Sequence, residues 1–213
     1  MANRQRKRQE PRSTWNKGIE VGQRAPFAVT EVRRIKAMLT KRGDKGLRDL
    51  ALFSTAIDTM LGAADLLSLT VKDVRGRNGA IRDTIEVPMA GTSHSVKCTL
   101  SKETRTVLEA WLAQTSKKPN AALFSGRNAT GKPLTPRQLS RLVKAWAAGI
   151  GLDATAYGTE SLRRTRAVHI VNETGNLEAV RVLLGHTKIA STANYLGDFQ
   201  PADPLAISRA NEI

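Results

Sequence analysis

Apolar residues recur at helical spacing through most of the chain and alternate in only one short stretch. Val32, Ile35, Met38 and Leu39 mark a first helix, with Thr30 as its expected N-cap. Gly43 and Gly46 are expected to interrupt it, and a longer apolar helix runs from about Leu47 to Met60. Asp65 to Leu69 reads as a further short helix. Between Asp83 and Thr99 the period changes to two: Ile85, Val87, Val96 and Cys98 alternate around Gly91, which predicts a β-hairpin. Ser101 caps a helix carrying Val107, Leu108, Trp111 and Leu112, and a polar loop rich in Lys, Pro, Asn and Gly fills Ser116 to Pro133.

Thr135-Pro136 is a strong helix start, because Pro has no N–H to waste at the first helical position. That helix carries Leu139, Leu142, Val143 and Trp146. The next spans 160–173 and closes at Gly175; another spans 177–184 and closes at Gly185; a short one holds Tyr195. Pro201 and Pro204 set off a last apolar piece with Leu205 and Ile207. No internal repeat is visible. The expected fold class is mainly α with one small antiparallel hairpin.

Composition narrows the partners rather than the fold. The 213 residues carry 34 Lys and Arg against 19 Asp and Glu, a net charge of +15, which favours a polyanionic partner. Arg4, Arg6, Lys7, Arg8 and Arg12 face only Glu10 in a segment poor in apolar residues, so 1–27 is expected to be a disordered basic tail that also grips phosphates. One cysteine, Cys98, permits no internal disulfide and suits a reducing compartment. No apolar run approaches the ~18 residues of a membrane helix, and none near Met1 has the form of a secretory signal. A cytoplasmic protein with no membrane partner is expected.

Candidate chemistry is concentrated late in the chain. Glu160-Ser161-Leu162-Arg163-Arg164-Thr165, then Leu184-Gly185-His186, then Tyr195, place a guanidinium, an imidazole and a phenol in one segment. Phosphodiester chemistry needs those types: a cation to hold the phosphate, a donor for its oxygens and a nucleophilic hydroxyl. Order and spacing resemble the catalytic domain of the tyrosine recombinases, the phage and plasmid integrase family, from about residue 28 to the C-terminus. Thr174-Gly175-Asn176-Leu177 and Ser191-Thr192 add to the resemblance.

The resemblance implies a recombinase catalytic domain over 28–213, with no room in 1–27 for the family's separate N-terminal core-binding domain. It implies that Arg163 is one of two arginines clamping the scissile phosphate, that His186 lies beside it, and that Tyr195 is the nucleophile forming a 3′-phosphotyrosine. No cofactor and no metal is implied. Three family positions differ: Gly62 stands for the first clamp arginine, three residues before Asp65; Gly91 for the hairpin lysine; and Glu160 for a histidine. Each change removes a cation or a donor from the phosphate pocket. Arg48 lies too far before Gly62 to replace the clamp. His94 and Lys97 are the nearest substitutes for the lysine, with solvated side chains as their plainer reading. His169 is expected to pack or face solvent.

Arg163, Arg164, Arg166 and Lys188, with the basic tail, are the expected contacts to double-stranded DNA. The expected function is a DNA-binding member of the family with a degenerate site. It would act as a site-specific regulator or accessory factor of a bacterial mobile element, beside an active recombinase or other DNA-processing protein, or as a homo-oligomer on DNA. Two other readings stay open: an active integrase or resolvase cutting through Tyr195, and a basic RNA-binding protein.

Overall fold

The computed structural model describes residues 23–89, 95–126 and 131–197. Over these it is mainly helical with one two-stranded antiparallel sheet, as the hydrophobic periodicity predicts. The helices are α1 (Val29–Thr40), α2 (Asp44–Thr59), α3 (Ala63–Ser68), α4 (Val71–Val74), α5 (Lys102–Ala113), α6 (Pro136–Gly149), α7 (Thr159–Thr174), α8 (Leu177–Leu184) and α9 (Ile189–Leu196). Strands β1 (Thr84–Pro88) and β2 (Ser95–Thr99) pair with Ile85 opposite Cys98 and Val87 opposite Val96, so the alternating apolar residues share the buried face.

Helix α2 is the central post. Leu50 to Ile57 are all buried, and the helix packs against α1, α5 and α7. Around it the aromatic rings lock at defined angles: Phe53 meets Trp146 edge-on at 5.5 Å, and Phe27 stacks on Tyr157 at 4.4 Å. A second, smaller core joins Met60 to Ala167, Val171, Val180, Leu184 and Leu196, and it carries the C-terminal helices.

Helix ends follow the local chemistry. Ser101 Oγ accepts from the Thr104 amide, and Thr135 and Gln138 cap each other reciprocally. Gly175 and Gly185 end α7 and α8 in the left-handed region, as expected. Three expectations need correction. The first helix is capped at Ala28, not Thr30, because the Glu31 carboxylate reaches back to the Ala28 amide at 2.8 Å. The chain is also packed against the domain already at Ala25 and Phe27, within the tail expected to end at 27. Phe27 is 1% exposed, its amide donates to Thr165 Oγ1 at 2.9 Å, and the Ala25 amide donates to Ala156 O at 3.1 Å. The third correction is Gly46, which lies inside α2 instead of interrupting it. Helix α4 was not anticipated; four residues are too few for a period, and its support is the Thr70–Asp73 capping box.

Gly46 is in the helix because nothing larger fits. A methyl group there would stand 2.1 Å from Leu39 O and 2.8 Å from Arg42 Cβ, so α1 and α2 cross at this point in direct contact. Gly46→Ala, which elsewhere in a helix is stabilising, is expected to cost about 1–3 kcal/mol here through overpacking. Urea denaturation checks the sign: a variant as stable as the parent would show that the crossing yields freely.

Candidate active site

Helix α7 is capped at Gly158, whose amide donates to Ser161 Oγ at 3.0 Å. Helical spacing then places Glu160 and Arg163 on the same face, one turn apart. Arg163 is half-buried. Its Nη2 donates to Leu184 O at 2.7 Å, and its Nε is buried with no hydrogen-bond partner among the described residues. One donor therefore holds the guanidinium in place while another remains uncommitted.

The sharp end of α8 sets the next residue. Gly185, at φ 70°, turns the chain so that the His186 amide donates to Arg181 O at 3.0 Å. Arg181 Nη1 in turn donates to His186 O at 2.5 Å, while Glu178 holds the Arg181 guanidinium at 2.6–2.9 Å. On the ring side, His186 Nδ1 is 3.0 Å from Thr192 Oγ1. Thr192 is buried on α9, and Tyr195 follows it by one turn. The three singled-out groups therefore meet. The His186 and Tyr195 rings are 5.6 Å apart at 82°, and the Arg163 guanidinium carbon lies 5.8 Å from the Tyr195 ring centre.

Two of the three divergent positions also belong to this pocket. The Tyr195 hydroxyl donates to Glu160 Oε2 at 3.2 Å. A methyl group at Gly62 would stand 3.4 Å from Asp65 Oδ2 and 3.9 Å from Arg163 Nη1, so this position faces the guanidinium and brings no cation to it. Gly91, like His94, lies outside the described residues. Lys97 is exposed on β2 opposite Glu86, so its side chain leaves the sheet on the solvent face.

The electrostatics follow the geometry. Burial pushes the Tyr195 phenol well above its ordinary value; the Glu160 carboxylate adds to the rise, and Arg163 and Arg164 pull back less strongly. His186 is held below its ordinary value by burial and then by the positive charge of Arg163. At neutral pH the pocket contains a neutral imidazole and a protonated phenol. Among the described residues no group of His, Cys, Asp and Glu is placed to hold a metal ion.

The expected DNA contacts divide. Arg166 and Lys188 are exposed. Arg164 is not, which corrects its expected place on the surface: it is 7% exposed, donates to Leu196 O at 2.9 Å and lies 5.8 Å from the Tyr195 ring, tying α7 to α9. Arg4, Arg6, Lys7, Arg8 and Arg12 lie outside the described residues. Arg48 is buried and donates to Asp49 Oδ1 at 2.6 and 2.9 Å, so it serves the core and not the pocket. His169 packs, with Nε2 2.9 Å from Phe27 O. Sequence reasoning missed Thr192 as the partner of His186 and Arg181 as its backbone bracket. It also missed the exposed basic face of α6, where Arg137, Arg141 and Lys144 recur at helical spacing.

A family model described as the phage integrase family matches residues 27–200. The chain belongs to the phage integrase family. Relatives within it include the tyrosine recombinase XerC of Pseudomonas aeruginosa (strain PAO1), 33% identical over 157 residues, 72% of this chain and 48% of the relative. The tyrosine recombinase XerD of Xanthomonas axonopodis pv. citri is 29% identical over 179 residues, 80% of this chain and 58% of the relative. The chain thus spans about half the length of these curated relatives. Solved structures with the same integrase fold include the XerA recombinase, with a TM-score of 0.70 at 17% identity over 89% of this chain and 64% of that one. The catalytic domain of bacteriophage HP1 integrase has a TM-score of 0.56 at 17% identity, over 89% and 96%.

The pocket electrostatics can be read directly. Arg163→Gln is expected to raise the His186 pKa towards its ordinary ~6.5 while burial keeps it below. Because the fold favours the neutral ring, the stability His186 contributes is complete above ~6.5 and is lost as pH falls through its lower folded value. Histidine NMR titrations assigned with His186→Gln check this. An unchanged His186 titration in Arg163→Gln would separate the two groups.

Proposed function

We propose that the chain is a DNA-binding member of the tyrosine recombinase family whose pocket grips a backbone phosphate without cutting it. The observation that carries this reading is the Tyr195–Glu160 hydrogen bond beside a clamp position occupied by glycine. An attacking phenol must lose its proton. A carboxylate is a weaker base than a phenolate by about six pKa units in model compounds, and burial widens the gap. Glu160 also brings negative charge to a site where negative charge grows during phosphoryl transfer.

Each missing preorganised donor removes about 10²–10³ in rate, without simple multiplication because such residues act as a unit. What remains suits binding: the half-buried Arg163 guanidinium, exposed Arg166 and Lys188, the basic face of α6, and a chain of net charge +15. Such a protein would serve as a site-specific regulator or accessory factor of a mobile element, occupying a site beside an active recombinase or as an oligomer on DNA. A second reading rests on the same hydrogen bond: in an active integrase Glu160 would take the phenol proton.

A covalent assay separates the two. Labelled fragments of the source cell's DNA are incubated with the protein, and DNA bound through denaturation is collected. No adduct above background is expected; an adduct lost in Tyr195→Phe and in Glu160→Gln would establish the second reading.

Binding gives its own test. Arg163→Ala is expected to weaken duplex affinity about tenfold, the scale of a charge-assisted hydrogen bond, while Tyr195→Phe changes it about twofold or less. Equal large losses in two folded variants would contradict the assignment. Deleting residues 1–12 is expected to flatten the dependence of log affinity on log salt, and an unchanged slope would take the tail off the DNA.

A further inference from the structure

We propose that the chain carries a second anion site, remote from Tyr195, in the cleft between α4, the turn after it and the loop at Lys117, and that this site takes a phosphate-bearing polyanion. The cleft, of about 400 Å³, is lined by Lys72, Arg75, Arg77, Arg82 and Lys117, and none of its lining residues is acidic. Two carboxylates adjoin the lining residues in sequence: Asp83 follows Arg82 and is not among the lining residues, and Asp73 is turned back into the cap of α4, where it accepts from the Thr70 amide at 2.7 Å and the Thr70 hydroxyl at 2.6 Å.

The turn is built to hold its arginines together. Arg75 pairs with Ile81, the Gly76 amide donates to Ala80 O at 2.8 Å, and the Arg82 amide donates to Val74 O at 2.9 Å. Two of the cations are held without an acidic partner among the described residues. Arg75 Nε is buried and has no hydrogen-bond partner among the described residues. Lys117 Nζ is half-buried and finds only neutral oxygens, Ala122 O at 2.7 Å and Ser125 Oγ at 2.8 Å, with the Trp111 ring 5.8 Å away. Burial, and then the charge of Arg48, hold its ammonium below its ordinary value.

Three guanidinium forks match the oxygens of a phosphate better than any other common anion, and five cations exceed what one carboxylate can neutralise. The site is separate from the Tyr195 pocket. Arg48, which shares Ser125 with Lys117, is near the start of α2, and Gly62 lies beyond its end. The helical rise from Arg48 to Thr59 alone is about 17 Å. The ligand is either a nucleic-acid backbone or a free polyphosphate, which present the same oxygens.

The test uses the full chain and inorganic tripolyphosphate, followed by calorimetry at low salt. One saturable site is expected, weakened about tenfold or more in Arg77→Gln/Arg82→Gln, the loss of two charge-assisted contacts. Both side chains are exposed, so the variant keeps its fold, and Arg75→Gln on the same wall is expected to weaken binding in the same direction. Arg33→Gln/Lys41→Gln removes the same charge from exposed positions on and just after α1 and is expected to leave the site unchanged. A short DNA duplex that displaces tripolyphosphate in the Arg163→Gln background assigns the site to nucleic acid. A duplex that binds without displacing it assigns the site to a free polyphosphate. No saturable site, or equal weakening by the cleft and control variants, overturns the proposal, and neither result depends on whether Tyr195 cuts DNA.

Discussion

The pocket depends on the burial of α2. Eight consecutive residues, Leu50 to Ile57, are enclosed by α1, α5 and α7, so the helix cannot slide or turn without opening the core. It ends at Met60 in the left-handed region, φ 52°, an uncommon conformation for a residue with a side chain. The Met60 side chain is buried in the small C-terminal core, which anchors that turn. The turn aims Gly62 at Arg163. Because α7 packs on the same post and α8 and α9 pack on α7, the positions of Arg163, His186 and Tyr195 all derive from one buried helix.

Within that frame the pocket is a balance of charges rather than a set of independent residues. Arg163 lowers His186 and draws on the Tyr195 phenol, while Glu160 raises the phenol and accepts its proton in a hydrogen bond. Burial favours the neutral forms of both rings. The result is an arrangement that keeps the phenol as a donor to Glu160.

Much of this was legible in the sequence because helices report themselves through period and punctuation. Ser101, Thr135-Pro136, Gly175 and Gly185 fall at helix ends, and the alternation at Ile85, Val87, Val96 and Cys98 lies on the buried face of the hairpin. What failed depended on contacts between distant residues. Gly46 signals a break by propensity, yet the α1–α2 crossing demands a residue without a side chain there. Arg164 has the composition of a surface residue, and only the Leu196 carbonyl, 32 positions away, explains its burial. The Tyr195–Glu160 bond spans 35 positions, so the sequence could indicate a lost donor at Glu160 but not the phenol as its partner.

Burial, and then the charge of Glu160, keep Tyr195 protonated. Titration of ring-labelled tyrosine by NMR, with Tyr195→Phe to separate it from Tyr157, measures this directly. The account predicts that Tyr195 stays protonated well above the ordinary phenol value of ~10, and that Glu160→Gln moves it down without restoring it fully, because burial persists. A Tyr195 that titrates at or below ~10 in the unaltered chain would contradict it.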